Sequence, residues 1–209
     1  MSCYNNKMFA SFDETRSAGK YGIPTLEPVH IIPDKMLGFN YARTSKAYDS
    51  CIHFFLDDYQ FERCWNRPEE NIKILSKFKC CLTPDFSLYR DMPLAMMVFN
   101  VYRSRMFGQM CQDAGLTVIP TIQFAGEETY DFAFDGLPKN STVAISTVGC
   151  CSDPIATDLF RQGYDEMIRR INPETVLFYG RDLLMPVDNQ RTEKIVTFDS
   201  FSQIRFERK

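Results

Sequence analysis

Short apolar runs alternate along this chain with longer stretches of helical period. The runs 51–56 (CIHFFL), 79–82 (KCCL), 117–123 (TVIPTIQ), 141–147 (STVAIST) and 175–179 (TVLFY) are almost continuously apolar or β-branched. That is the pattern of strands buried on both faces of a parallel sheet. A weaker run, 36–42 (MLGFNYA), adds a first strand. Helices are predicted between them over 59–65, 68–76, 94–114, 130–134 and 154–171. Pro68 suits the first helical position, and Glu69 and Glu70 suit the positive end of the helix dipole. The long helix that follows takes Asp91 as its N-cap, with Pro93 close behind and Gly115 as its left-handed stop. Its first half, 94–101, is apolar nearly all round and reads as buried; from Asn100 onward the helix turns polar.

Alternating strands and helices predict an α/β fold with a mainly parallel sheet of about six strands and flanking helices. A closed eight-fold barrel typically needs ~250 residues, and this chain has 209. A doubly wound open sheet or an incomplete barrel fits better. Residues 1–34, punctuated by Gly19, Gly22, Pro24, Pro28 and Pro33, read as an irregular N-terminal arm. Residues 35–182 form the α/β domain, and 183–209 an extension packed on it, with 195–198 and 202–206 as a possible β-hairpin.

Composition narrows the class. With 44% apolar, 24% charged and 14% aromatic residues, including 18 Phe, the chain is globular and not disordered. A net charge of −3 removes the general basic coat of a nucleic-acid binder, although 24 Lys and Arg leave room for a local patch. No apolar run reaches the ~18–20 residues of a membrane span. The first residues carry no apolar leader, so a cytoplasmic protein is expected. The eight cysteines show no C-x-x-C spacing and only two His accompany them, which argues for buried thiols over disulfides or zinc. The glycine motifs of dinucleotide and P-loop sites, G-x-S-x-G and H-E-x-x-H are all missing.

In parallel α/β folds ligands bind at the carboxyl ends of the strands. Here those ends carry Asp57 and Asp58, then Asp85 and Ser87, then Gln123 with Glu127, then Thr147, then Arg181. Asp57 and Asp85 are the candidate metal ligands, for which Mg²⁺ is the natural cation; helix capping and an Asx-turn are the competing roles. Arg103 and Arg105 lie on the long helix about 200° apart, so one is expected to serve the Asp85 loop, with Arg103 favoured. Asp57, Asp85 and Arg103 are the candidate catalytic residues. Asp58, Ser87, Arg105, Gln123, Glu127, Thr147 and Arg181 are the candidate substrate contacts. His53 sits inside an apolar strand and reads as a core histidine.

Seven short motifs then stand together: Tyr21-Gly22-Ile23-Pro24, Phe54-Phe55-Leu56-Asp57-Asp58-Tyr59, Thr83-Pro84-Asp85-Phe86-Ser87-Leu88-Tyr89, Asn100-Val101-Tyr102-Arg103-Ser104-Arg105, Val118-Ile119-Pro120-Thr121, Phe134-Asp135-Gly136 and Tyr179-Gly180. In these the chain resembles the domain of unknown function numbered 4417, found in phages, prophages and other mobile elements. The resemblance spans roughly 20–181 and implies a mobile-element origin. It implies no activity and no catalytic residue.

Two functions follow as expectations. One is a metal-assisted enzyme or binding protein acting on a nucleotide or nucleic-acid phosphate at the strand ends. The other is a non-enzymatic phage protein that binds and modulates a host protein, for example against host defence, for which the Phe- and Met-rich composition is suited.

Overall fold

Among the described residues seven parallel strands follow one another in chain order. The computed structural model describes residues 12–150, 153–184 and 192–200. Its elements are β1 (Ser17–Ala18), β2 (Ile23–Pro24), β3 (Met36–Gly38), β4 (Cys51–His53), α1 (Arg63–Asn66), α2 (Pro68–Leu75), β5 (Cys80–Leu82), α3 (Leu94–Asp113), β6 (Val118–Ile119), α4 (Tyr130–Ala133), β7 (Thr142–Ser146), α5 (Pro154–Ile171), β8 (Thr175–Tyr179) and β9 (Lys194–Phe198). One parallel sheet runs β3-β4-β5-β6 and a second runs β7-β8-β9. They meet at a parallel bridge between Thr121 and Ala144, where Ile122 N donates to Ala144 O at 2.8 Å and Ala144 N to Pro120 O at 2.9 Å.

Sequential order without reversal is the order of a barrel wall, not of a doubly wound sheet, which needs a switch point. Alternation along β7 and β8 shows the two faces of that wall. Val143, Ile145, Val176 and Phe178 pack with Phe160, Tyr164, Met167 and Ile171 of α5. The intervening Ala144, Leu177 and Tyr179 join Phe39, Phe54, Leu82 and Ile119 in the main core. No pairing joins β3 to β9 among the described residues, so the barrel stays incomplete.

The N-terminal arm lies over α3. Its antiparallel pair β1–β2 is followed by backbone held by two glutamines of that helix. Gln109 donates to Arg16 O at 3.0 Å and Thr25 O at 2.8 Å; Gln112 donates to Glu27 O and accepts from Glu27 N, both at 3.0 Å. At the other end β9 extends the wall parallel to β8. The hairpin partner expected at 202–206 lies outside the described residues. No helix among the described residues is long and apolar enough to cross a membrane.

Helix limits follow the caps where the caps are strong. α5 begins at Pro154 because Asp153 accepts from Ile155 N at 2.9 Å, and it ends at Asn172 in the left-handed region. α3 departs from expectation in two ways. Its N-cap position is Pro93, without a side-chain cap, and not Asp91. Its burial also departs: of the apolar first half Met97 and Val101 are buried but Leu94, Met96 and Phe99 are exposed, whereas Arg103, Ser104, Arg105 and Gln109 of the polar second half are buried. Hydropathy misleads here because each of those polar side chains bonds a backbone carbonyl or a carboxylate, which removes the cost of burying it.

Two left-handed glycines test how tightly the arm is fitted. A Cβ on Gly136 (φ +73) would lie 2.2 Å from Pro24 O, while one on Gly115 (φ +81) would meet nothing within 4 Å. Gly115→Ala is expected to cost only the left-handed penalty of ~1–2 kcal/mol. Gly136→Ala is expected to cost about 1–3 kcal/mol more by forcing the arm off the domain. Urea denaturation of both variants measures the difference.

Candidate functional site

The segment Thr83–Ser87 leaves the end of β5 and crosses the mouth of the wall. Nearly every carbonyl along it is held. Thr121 Oγ1 donates to Thr83 O at 2.6 Å, Ser104 Oγ to Pro84 O at 2.6 Å, Gln123 Nε2 to Phe86 O at 2.6 Å and Asn100 Nδ2 to Ser87 O at 2.7 Å. Asp58 completes the clamp, accepting from Ser87 N at 3.2 Å and from Ser87 Oγ at 2.8 Å. Asn100, Arg103 and Ser104 stand at i, i+3 and i+4, one face of α3, and this face holds the loop.

Arg103 is committed to that scaffold. Its guanidinium carbon lies 3.5 Å from the centre of the Phe86 ring. Nη1 donates to both oxygens of Glu62 at 2.8 and 2.9 Å, and Nε to Asn100 Oδ1 at 3.0 Å. Asp58 lies 4.0 Å from its other terminal nitrogen. Arg105 passes underneath and is wholly buried. It donates to Thr121 O and Ala133 O, both at 3.1 Å, and its Nε has no partner.

Asp85 is the residue this scaffold presents. Among the described residues its carboxyl has no hydrogen-bond partner, and it lines a cleft of about 370 Å³. Burial raises its pKa to about 7, the negative charge of Asp58 pushes the same way, and Arg105 opposes. Burial in turn lowers Arg105 to about 9, against the attraction of Asp85 and Asp135. The electrostatic partner of Asp85 is therefore Arg105, not the favoured Arg103. The 200° between the two arginines is real, but both side chains are long enough to reach the same segment from opposite sides.

The cleft is otherwise mostly apolar. Phe86, Phe124, Phe160, Leu159, Ile122 and Ile145 form its walls, and Arg90 and Asp153 stand at its rim, joined by a 2.9 Å ion pair. Gln123 is only 4% exposed; it spends its amide N–H on Phe86, and its Oε1 has no partner.

Of the residues singled out in the sequence, the fold brings Asp85, Ser87 and Gln123 into this cleft and joins Asp58 to it through Ser87. Asp57 instead occupies the cap position of a short 3-10 turn, is exposed, and accepts from Gln60 at 3.3 Å. It is Asp58 that faces Asp85. Among the described residues no three His, Cys, Asp or Glu side chains group as metal ligands would. Glu127 is exposed at the start of another 3-10 turn, Arg181 is exposed, and Thr147 is buried, donating to Arg181 O at 2.8 Å. His53 lies in the core, 4.4 Å from the Tyr179 ring; burial lowers its pKa to about 4.

Sequence reasoning missed the far wall. Phe124, Leu159 and Phe160 carried only the signal of core positions, and the Arg90–Asp153 pair spans 63 residues without any local pattern. The clamp from Asn100 and Ser104 was legible in principle, from their helical spacing to Arg103.

A parallel, incomplete α/β barrel with a partly apolar cleft at its strand ends is the class of protein these features define. Residues 15–199 match the family described as "Domain of unknown function (DUF4417)", and the chain belongs to that family. It is similar to the Gene 1 protein of Mycobacterium phage D29, 43% identical over 168 residues, covering 79% of this chain and 62% of that protein. It is also similar to the Gene 1 protein of Mycobacterium phage L5, 42% identical over 168 residues, covering 79% of this chain and 73% of that one. The chain thus spans under two thirds of the length of the D29 relative. No solved structure matches it.

The raised pKa of Asp85 has a stability consequence with a definite sign. Below its unfolded value of 3.8 the group is protonated in both states. As pH rises toward about 7 the unfolded chain releases the proton and the folded chain keeps it, so stability is lost across that window. Asp85→Asn removes this loss. Urea denaturation at pH 4, 6 and 7.5 is expected to show the variant gaining on the wild type as pH rises; a constant difference would contradict the assignment.

Proposed function

We propose that the protein binds a small, partly planar organic molecule of nucleoside size in the cleft at the strand ends, with Asp85 as the group that exchanges a proton with it. The single observation that carries this reading is a carboxyl held on a clamped loop, unpaired, in a largely apolar cleft. A carboxyl whose pKa lies near neutrality both gives and takes a proton at physiological pH. A cleft of about 370 Å³ lies in the lower range for small-molecule sites. The clamp supports it further, because a preorganised loop keeps the acid in place without reorganisation.

This shifts weight away from metal-assisted work on a phosphate. Asp57 faces outward, and both arginines that would have met a phosphate are bound to carbonyls or to Glu62. A nucleoside keeps the substrate class and drops the phosphate as its anchor. With ¹³C-methyl labelling, adenosine, guanosine, cytidine and uridine are each titrated to millimolar concentration. At least one is expected to shift the methyl resonances of Ile122, Ile145 and Leu159. Shifts confined to methyls elsewhere, or no shift with any of the four, would overturn the reading.

A second reading, binding of a host protein, is favoured by one specific observation. The start of α3 exposes Leu94, Met96 and Phe99, with Tyr89 beside it in sequence. Exposed apolar groups collected in one stretch are a common mark of protein contacts. If they dock a host protein, Met96→Glu with Phe99→Glu should abolish its capture from host lysate and leave the cleft methyl shifts unchanged. Capture undiminished by the double variant would exclude this surface.

A further inference from the structure

The cleft's polar groups are unequal in kind, and this restricts the ligand. The inward donor side chains along its wall already have acceptors, and Tyr89 turns outward at the rim, 61% exposed. Ser87 Oγ donates to Asp58 at 2.8 Å, Gln123 Nε2 to Phe86 O at 2.6 Å, and Ser146 Oγ lies 3.4 Å from Tyr179 O. Arg90, the cation at the rim, is neutralised by Asp153. Arg105 lies beneath the floor with its two terminal nitrogens on carbonyls. What remains unpaired in the lining is of acceptor kind: the Asp85 carboxyl and Gln123 Oε1.

We infer that the cleft recognises the ligand through a planar edge bearing adjacent N–H donors, of the amidinium, guanidinium or guanine kind, paired in a fork with the Asp85 carboxylate. The inference rests on the small-molecule reading above and names the ligand class for the same cleft. Forked pairing of two parallel N–H groups with a carboxylate is among the stronger polar contacts, and it orients the ligand as well as holding it. The flanking Phe124, Phe160, Leu159 and Ile122 supply apolar walls for a flat body. A phosphate or carboxylate ligand would meet the opposite situation. It would face Asp85 with no free side-chain cation to offset the repulsion.

The charged groups around the site are Asp58 from the turn after β4, Arg105 from α3, and Arg90 and Asp153 at the rim. Asp58 disfavours ionisation of Asp85, and Arg105 favours it. With a carboxyl of pKa about 7, roughly a tenth is ionised at pH 6 and roughly nine tenths at pH 8. A donor-edge ligand selects the ionised form, so its affinity should rise about tenfold over that interval.

The test is calorimetric titration of the full chain with benzamidine, guanosine, inosine and N-acetyl-argininamide, and with benzoate and inorganic phosphate as acceptor-only probes, at pH 6 and 8. Guanosine and the arginine derivative separate a base from a side chain as the source of the edge. Inosine, which lacks the exocyclic amine, reports the second donor. At least one donor-edge probe should bind, about tenfold tighter at pH 8, and lose at least tenfold in Asp85→Asn. If guanosine is that probe, inosine should bind more weakly. Asp85→Asn is a fair variant because it removes an unfavourable buried charge, and its fold is checked by the urea series. Binding of benzoate or phosphate in preference to the donor probes, or donor binding indifferent to Asp85→Asn, would overturn this inference and leave the small-molecule reading intact. Binding by none of the donor probes would overturn this inference, and the small-molecule reading then falls only if the four-nucleoside methyl titration is silent as well.

Discussion

The structure depends on a polar helix face turned inward. The second half of α3 is buried although its sequence is polar, and it is stable there because its side chains meet backbone carbonyls of the segments packed on it. Ser104 and Asn100 take the carbonyls of Pro84 and Ser87, Arg105 takes those of Thr121 and Ala133, and Gln109 takes those of Arg16 and Thr25. Each such bond contributes about 0.5–1.5 kcal/mol net, while losing one partner leaves a buried polar group that costs about 1–3 kcal/mol. The asymmetry makes the set cooperative in effect. The strand-end loop, the link between the two sheets and the arm all fasten to one helix.

That arrangement explains the electrostatics of the cleft. Carbonyl dipoles receive the two terminal nitrogens of Arg105 but carry no full negative charge to balance it. Its charge is therefore offset only in part, by Asp85 on one side and Asp135 on the other, and burial still lowers its pKa. Asp85 feels the same dry surroundings together with a neighbouring Asp58, and it holds its proton toward neutrality. Asp58 stays with Ser87, whose N–H and hydroxyl both point to it. Two acids close together thus divide the work: one braces the loop and the other faces the cleft.

Much of this was legible in the residues. Parallel strands buried on both faces produce the continuous apolar runs that mark β4, β5, β7 and β8, and Asp153-Pro154 and Pro68 set their helix starts by local chemistry. The rule that ligands sit at strand carboxyl ends singled out Asp85, Ser87 and Gln123, which line one cleft, without any motif. What was not legible needed distance information. The choice between Asp57 and Asp58 depends on the direction of a single turn. The reach of Arg105 depends on how α3 is rolled against β6. The burial of the polar half of α3 was missed because hydropathy scores a side chain alone, whereas the helix buries side chains together with the carbonyls that receive them.

Gln109 and Gln112 give the arm a meaning that its irregular sequence conceals. Gln109 is buried, and both acceptors of its amide N–H groups belong to the arm. Residues 16–27 therefore act as interior, although they run along the outside. Trimming them away would not shorten a tail; it would open a polar seam along the helix that also carries the cleft loop. The seam between α3 and residues 16–27 stays closed only while both are present.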